Sequence, residues 1–268
     1  MIPAPFDYVT AATVDEAVGH LQRFGDDAKL IAGGQSLVPL MRLRLAQPSA
    51  LVDISRMRGA DAITREDGHL SVGAGVHHAD IERSPAVRDA LPLLAAVAHE
   101  VGDNQVRNLG TMGGVIAHGD AAGDYCALAL MLDAEIVTSK RRHAASGFFK
   151  DVFTTALEPD EVVTAVRFPV ATGAHAYQKF RRRLFDWAIA GVMVQRTEAG
   201  WRVGYVNLGP TAVRGAGVEQ ALAQGAAPAE AARRATQGLE PRDDVRATAA
   251  YKRHLATVLT QRALESAA

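Results

Sequence analysis

Two runs in which paired glycines sit beside a hydroxyl, Ala32-Gly33-Gly34-Gln35-Ser36 and Thr111-Met112-Gly113-Gly114-Val115, constrain this chain more than any other feature. The first follows Lys29-Leu30-Ile31-Ala32, which reads as a buried strand, so the backbone must leave a sheet abruptly there. Glycine serves such a place in two ways: it reaches positive φ without a Cβ clash, and it lets backbone N–H groups approach an anion. Each run taken alone is equally well a plain turn. Taken together, two convergent sets of N–H donors suit a ligand with two linked phosphates.

Other readings of these glycines and of the histidines fail on spacing. There is no Gly-x-Gly-x-x-Gly run, and no glycine is followed by lysine, which leaves the Rossmann and P-loop patterns unsupported. Gly34-Gln35-Ser36-Leu37-Val38 has Val38 where a hydrolase elbow needs its second glycine. His99-Glu100 lacks the second histidine of a zinc-protease helix, and His77-His78 would point apart on a strand. Each of these histidines is expected to be solvated or hydrogen-bonded, and no metal site is expected.

Around the glycine runs the pattern is mixed α and β. Thr13 and Glu16 form a capping-box signature ahead of Ala17, Val18, Leu21 and Phe24, with Gly25 as the stop. Ser36 to Leu45 reads as irregular or helical, followed by a strand at Leu51-Val52-Asp53-Ile54. Beyond Gly68, strands are expected over His69–Ala74, Glu135–Thr138 and Glu161–Phe168, and apolar helical faces over Leu91–Val101 and Tyr125–Leu132. Asp103-Asn104-Gln105 reads as a polar turn leading into the second glycine run. The breaker-rich stretch 170–174 is the expected domain boundary. After it, His175–Phe180, Ala188–Gln195 and Trp201–Leu208 read as an antiparallel meander, and a helix from about Val245 to Leu264 is expected to pack its Leu255, Val258 and Leu259 face on that meander.

Composition narrows the function classes. The net charge is -1 and the 29 basic residues are dispersed, so nothing singles out nucleic acid or an anionic membrane. Neither a secretory signal nor an apolar run long enough to span a bilayer is present, so a cytoplasmic protein is expected. The one cysteine, Cys126, lies in an apolar run and reads as a small buried hydrophobe. It cannot by itself hold an iron–sulfur cluster.

The two glycine runs, the extension Leu37-Val38-Pro39-Leu40-Met41-Arg42-Leu43-Arg44-Leu45, Val52-Asp53-Ile54, and Gln105-Val106-Arg107-Asn108-Leu109-Gly110 before the second run carry a family resemblance. With Asp120, Asp124, Tyr177-x-Lys179-Phe180, Asp186-Trp187-Ala188 and Tyr251-Lys252-Arg253-His254-Leu255, they make the whole chain closely similar to the flavoprotein (medium) subunit of the xanthine dehydrogenase and aerobic carbon monoxide dehydrogenase family of molybdenum hydroxylases. The resemblance implies an α+β fold: a two-subdomain FAD-binding region of vanillyl-alcohol oxidase type (residues 1–57 and 58–171) and a small C-terminal domain (172–268) with a three-stranded antiparallel sheet and helices. It implies FAD as the cofactor, with Gly33, Gly34, Ser36, Thr111, Gly113 and Gly114 around the diphosphate, and Ala32, Gln35, Leu37 and Val115 beside them. It also implies that Asp124 bonds sugar or ribityl hydroxyls, that Val101 and Val163 pack near the flavin end, and that Lys179 lies close to the isoalloxazine.

No catalytic acid or base is implied. Molybdopterin and 2Fe-2S clusters belong, by the same resemblance, to a large and a small partner subunit, arranged as a dimer of heterotrimers, and this chain would pass their electrons to an external acceptor. Three departures stand out: Val115 where the family usually has Ser or Asn, extra glycines and no proline in His118–Asp124, and a bulky Arg181–Phe185 segment that is either a solvated basic edge or a partner contact. A free-standing FAD oxidase, or a flavin-free interaction protein of the same fold, are the alternative readings.

Overall fold

The computed structural model describes residues 2–268 and is α+β throughout, with three main sheets and one short hairpin; Met1 lies outside the described residues. The first sheet is parallel, in the order β1 (Asp7–Thr10), β3 (Ala50–Asp53), β2 (Ala28–Ile31), with helices α1 (Val14–Phe24) and α2 (Leu37–Arg42) in the two crossovers. Thr13 Oγ1 accepts the Glu16 N–H at 3.2 Å, while the Glu16 carboxylate reaches back to the Ala12 N–H at 2.6 Å, one residue before the cap. Ala17 and Leu21 thereby face Ala50 and Val52 in a small core that Val162 completes.

The second sheet is antiparallel, in the order β4 (Ile63–Glu66), β5 (His69–Gly73), β10 (Val163–Pro169), β6 (Glu135–Thr138), β7 (Arg142–Ala144). Five helices lie between β5 and β6: α3 (His78–Arg83), α4 (Pro85–Ala90), α5 (Pro92–His99), α6 (Asn104–Leu109), α7 (Met112–His118), followed by α8 (Asp124–Met131) as a sixth. The largest core gathers Leu93, Leu94 and Val97 of α5, Leu128 and Met131 of α8, and Val166 and Phe168 of β10. A hairpin of β8 (Phe149–Asp151) and β9 (Thr154–Thr155) borders it.

The third sheet runs β11 (His175–Phe180), β12 (Ala190–Thr197), β13 (Gly200–Val206), the expected meander, and adds a two-residue fourth strand, β14 (Val213–Arg214). Helices α9 (Ala216–Ala223), α10 (Pro228–Ala232) and α11 (Ala249–Ser266) follow. α11 packs Leu255 and Leu259 with Val192 and Val194, as expected, with Val258 only partly buried at the margin. Gly204 of β13 lets α8 approach closely: a Cβ there would stand 3.0 Å from the Met131 Cβ.

Several expectations need correction. The segment Asp103-Asn104-Gln105 is no turn but the start of α6, because the Asp103 carboxylate caps the Val106 N–H at 2.8 Å. The second glycine run is likewise the first turn of α7, not a loop. His77 and His78 open α3 and do not lie on a strand. The last helix starts at Ala249, four residues later than expected, where Thr248 caps the Tyr251 N–H.

A cleft between the two glycine runs

At the end of β2 the chain turns through Ala32–Ser36, with Gly34 at φ +69° and α2 beginning at Leu37. Gly33 is there for contact: a Cβ on it would lie 2.0 Å from the Leu109 carbonyl oxygen, so the first run rests against the end of α6. The Gln35 amide ties the turn by donating to the Gly33 carbonyl at 2.9 Å. Among the described residues, the backbone N–H groups of Ala32 through Leu37 find no protein acceptor, and the Ser36 hydroxyl caps nothing. Six consecutive free donors at a strand-to-helix turn form an anion-binding concavity.

The second run is different. Thr111 Oγ1 accepts the Gly114 N–H at 3.2 Å, Met112 N–H goes to Val76 O at 3.0 Å, Gly113 N–H to Ala74 O at 2.8 Å, and Val115 N–H to Thr111 O at 3.2 Å. Four of its five backbone donors are therefore spent on the fold, and only the Thr111 N–H lacks a protein acceptor among the described residues, contrary to the expectation of two matching donor sets. A Cβ on Gly113 would lie 2.5 Å from the Ala74 Cβ, so this glycine packs α7 onto the end of β5. A Cβ on Gly114 would meet only the Thr111 hydroxyl, at 3.0 Å. What this run offers a ligand is an open wall at Gly114 and the Thr111 hydroxyl proton.

Between the runs lies a cleft of about 610 Å³, within the range of small-molecule sites. All fourteen residues singled out from the sequence line it: Ala32, Gly33, Gly34, Gln35, Ser36, Leu37, Val101, Thr111, Gly113, Gly114, Val115, Asp124, Val163 and Lys179. Val163 stands at a bulge where β10 slips its register against β6, a device that re-aims side chains. The 118–124 segment is a fastened turn: Gly119 takes the left-handed conformation, Asp120 Oδ1 accepts the Ala122 N–H at 2.9 Å, and Ala121 O accepts the Asn207 N–H at 2.8 Å.

Asp124 and Lys179 are no surface pair. Their side chains are 5% and 3% exposed, and Lys179 Nζ donates to Asp124 Oδ2 at 2.8 Å and to Glu100 O at 2.9 Å. Tyr177 donates to the other carboxylate oxygen. In the Arg181–Phe185 segment, Arg181 pairs with Glu100 at 2.8 Å, whereas Arg182, Arg183, Leu184 and Phe185 are exposed and Phe185 lines the cleft beside Asp186 and Trp187.

Sequence reasoning missed two features of the walls. His78 was expected to be solvated or hydrogen-bonded; it is buried, its Nδ1 has no partner, and burial followed by the His77 and Arg107 charges pushes its pKa down to about 3. The Tyr125 hydroxyl, whose ring meets the His78 ring edge-on, is also buried and unpartnered. Glu161 is the second. It accepts from His143 Nε2 at 2.8 Å and from the Glu158 N–H at 3.1 Å. Burial acts to raise its pKa, but the hydrogen bonds from Thr138 and His143, with the His143 and Arg141 charges, outweigh it and hold the carboxyl below the ordinary glutamate value. His99 bonds Glu82 at 2.8 Å, as a surface histidine should. Cys126 is buried, and burial pushes its thiol up, so it is an inert packing residue.

Comparison with known proteins fits this geometry. Residues 4–171 match the family model for the FAD binding domain in molybdopterin dehydrogenase, and residues 175–267 match the CO dehydrogenase flavoprotein C-terminal domain. The sequence is 40% identical to the carbon monoxide dehydrogenase medium chain of Hydrogenophaga pseudoflava, covering 100% of this chain and 98% of that one. It is 36% identical to subunit alpha of the 6-hydroxypseudooxynicotine dehydrogenase complex of Paenarthrobacter nicotinovorans, covering 100% and 96%. The fold superposes on carbon monoxide dehydrogenase of Hydrogenophaga pseudoflava with a TM-score of 0.95 at 41% identity (100% and 98% covered), and on quinoline 2-oxidoreductase of Pseudomonas putida 86 with 0.93 at 31% (100% and 98%).

The fold and cleft are those of an FAD-dependent oxidoreductase subunit. The chain belongs to the FAD-binding medium-subunit family of the molybdenum hydroxylases, which includes the xanthine dehydrogenase and aerobic carbon monoxide dehydrogenase flavoproteins. Its residues fit the cofactor: the free donors at Ala32–Leu37, the open wall at Gly114 and the orphaned His78 and Tyr125 atoms are features a large polar ligand would complete. No helix is long and apolar enough to cross a membrane among the described residues.

Proposed function

We propose that this chain is the electron-transfer module of a three-part molybdenum hydroxylase. A small partner carrying 2Fe-2S clusters delivers electrons to it, a large partner carrying molybdopterin oxidises the substrate, and the assembly is a cytoplasmic dimer of heterotrimers. The medium-chain and medium-subunit names of the relatives support that division of labour. When bound, FAD supplies the redox chemistry, accepting electrons and releasing them to an external acceptor. The three parts of the chain, 1–57, 58–171 and 172–268, are proposed as two subdomains that enclose the cofactor and a third that closes over it.

The observation that carries the reading is the row of unengaged N–H groups from Ala32 to Leu37 opening into the cleft that also holds Asp124 and Lys179. These donors take the diphosphate, with the Ser36 and Thr111 hydroxyls and the bare Gly114 surface around it, so the first run carries the larger share of the anion. Ala32, Gly33, Gly34, Gln35 and Leu37 build that cradle, Gly113 seats the opposite helix, and Val115 adds apolar contact. Asp124 is placed to accept from cofactor hydroxyls, Val101 and Val163 to pack on the ring, and Lys179 to stand beside it.

The test is to purify the chain and titrate FAD. The reading expects a yellow protein that releases intact FAD on denaturation, is inert alone toward aldehydes, aromatic heterocycles and carbon monoxide, and is reduced only when an iron–sulfur subunit is present. A colourless chain with no affinity for FAD, or flavin reduction by substrate without a partner, would refute it.

A further inference from the structure

β11 brings two side chains from one face of the strand, Tyr177 and Lys179, to a single carboxylate on the first turn of α8. The site is built for the phenol: a Cβ on Gly191, opposite Lys179 in the sheet, would lie 3.0 Å from the Tyr177 hydroxyl. Burial, then the Asp124 charge and the hydrogen bond to it, raise the Tyr177 pKa well above its ordinary value, so the phenol stays a donor. An ammonium offers three protons. Lys179 gives one to Asp124 Oδ2 and one to Glu100 O, and the third has no acceptor among the described residues, while Lys179 lines the cleft.

We propose that Tyr177 is a positioning residue that sets how much of the Lys179 charge reaches the cleft. By occupying Asp124 Oδ1 it draws on the carboxylate charge and keeps Asp124 from turning both oxygens onto the ammonium. Without that hydroxyl, Asp124 chelates Lys179 and neutralises it more fully. This inference rests on the reading that FAD fills the cleft with its ring at Lys179. Reduced flavin is more negative than oxidised flavin, so a partly uncompensated cation beside it favours reduction. Tyr177 acts on that balance through Asp124 and Lys179 without touching the cofactor.

The experiment is a dye-coupled potentiometric titration of bound FAD in the parent chain, Tyr177→Phe, Lys179→Met and the double variant, with FAD content and circular dichroism as checks. Tyr177→Phe should fold, retain FAD and show about a tenfold smaller equilibrium constant for two-electron reduction, a shift of about 30 mV to more negative potential. Lys179→Met should shift the same way, and adding Tyr177→Phe to it should change nothing further. An unchanged potential in Tyr177→Phe, or an equal shift in the Lys179→Met background, would overturn the role. A parent chain that binds no FAD would instead refute the functional reading, which separates the two failures. Should Lys179→Met lose the cofactor, Lys179→Gln makes the same comparison.

Discussion

Of the four paired glycines, Gly33 and Gly113 are set by packing and Gly34 and Gly114 by the cleft. Leu109 and Ala74 leave no room for a Cβ at the first two, Gly34 needs positive φ, and a Cβ on Gly114 would meet only the Thr111 hydroxyl, at 3.0 Å. Gly114→Val is therefore expected to leave the circular dichroism spectrum intact while FAD affinity falls by at least a hundredfold, read by fluorescence titration. Gly113→Val should instead compromise folding, since overpacking a closed contact costs about 1–3 kcal/mol or more. His78 makes a different prediction. Its folded pKa of about 3 lies below its ordinary 6.5, so the unfolded chain takes up the proton first as pH falls. Its contribution to stability is present above pH 6.5 and is lost on acidification toward pH 3, at up to about 1.4 kcal/mol per unit. Urea denaturation at several pH values should show a shallower acid loss in His78→Phe than in the parent; identical profiles would contradict the assignment.

At the scale of elements, caps decide what the glycine pattern leaves open. Asp103, Thr111 and Ser84 each accept an N–H three residues on, and each starts a helix in a region that reads as turn or goes unassigned from periodicity alone. The capping signal at Thr111 is legible in the residues, but the paired glycines that follow are poor helix formers and oppose it. In α7 tertiary contact overrides that propensity, since Met112 and Gly113 donate to Val76 and Ala74. Thr111→Ala should cost about 1 kcal/mol by chemical denaturation, and Thr111→Ser should restore most of it. An equal loss in both would mean that the methyl group, not the cap, matters.

Across the whole molecule, the joint between the third sheet and the rest is polar as well as apolar. Lys179 and Tyr177 reach Asp124, and Arg214 pairs with Asp133 at 2.9 Å and with Glu219 at 3.0 Å. The Arg214 contacts are partly exposed and contribute little. The Asp124 pair is buried, and removing one partner strands a charge. Asp124→Ala is expected to destabilise the chain by about 3–5 kcal/mol and to make residues 170–174 the first site of limited proteolysis. A melting temperature unchanged from the parent would show that the pair carries no such burden.

The sequence by itself determined the longer strands and helices, the meander and its covering helix, because hydrophobic period is a local property, and the resemblance spanning the chain named the residues that line the cleft; short elements such as β1, β4 and β7 to β9 carry too few residues to show a period. Tertiary structure alone decided which donors remain free. A backbone N–H is available or spent according to which carbonyl lies opposite it, and Ala74 and Val76 lie far from the second glycine run in sequence. The same holds for His78, whose polarity suggests water and whose neighbours exclude it, and for Asp124, which Tyr177 and Lys179 of the distant strand β11 make a buried junction. The two glycine runs look alike as written; folding makes one a cradle of free donors and the other the capped start of a helix.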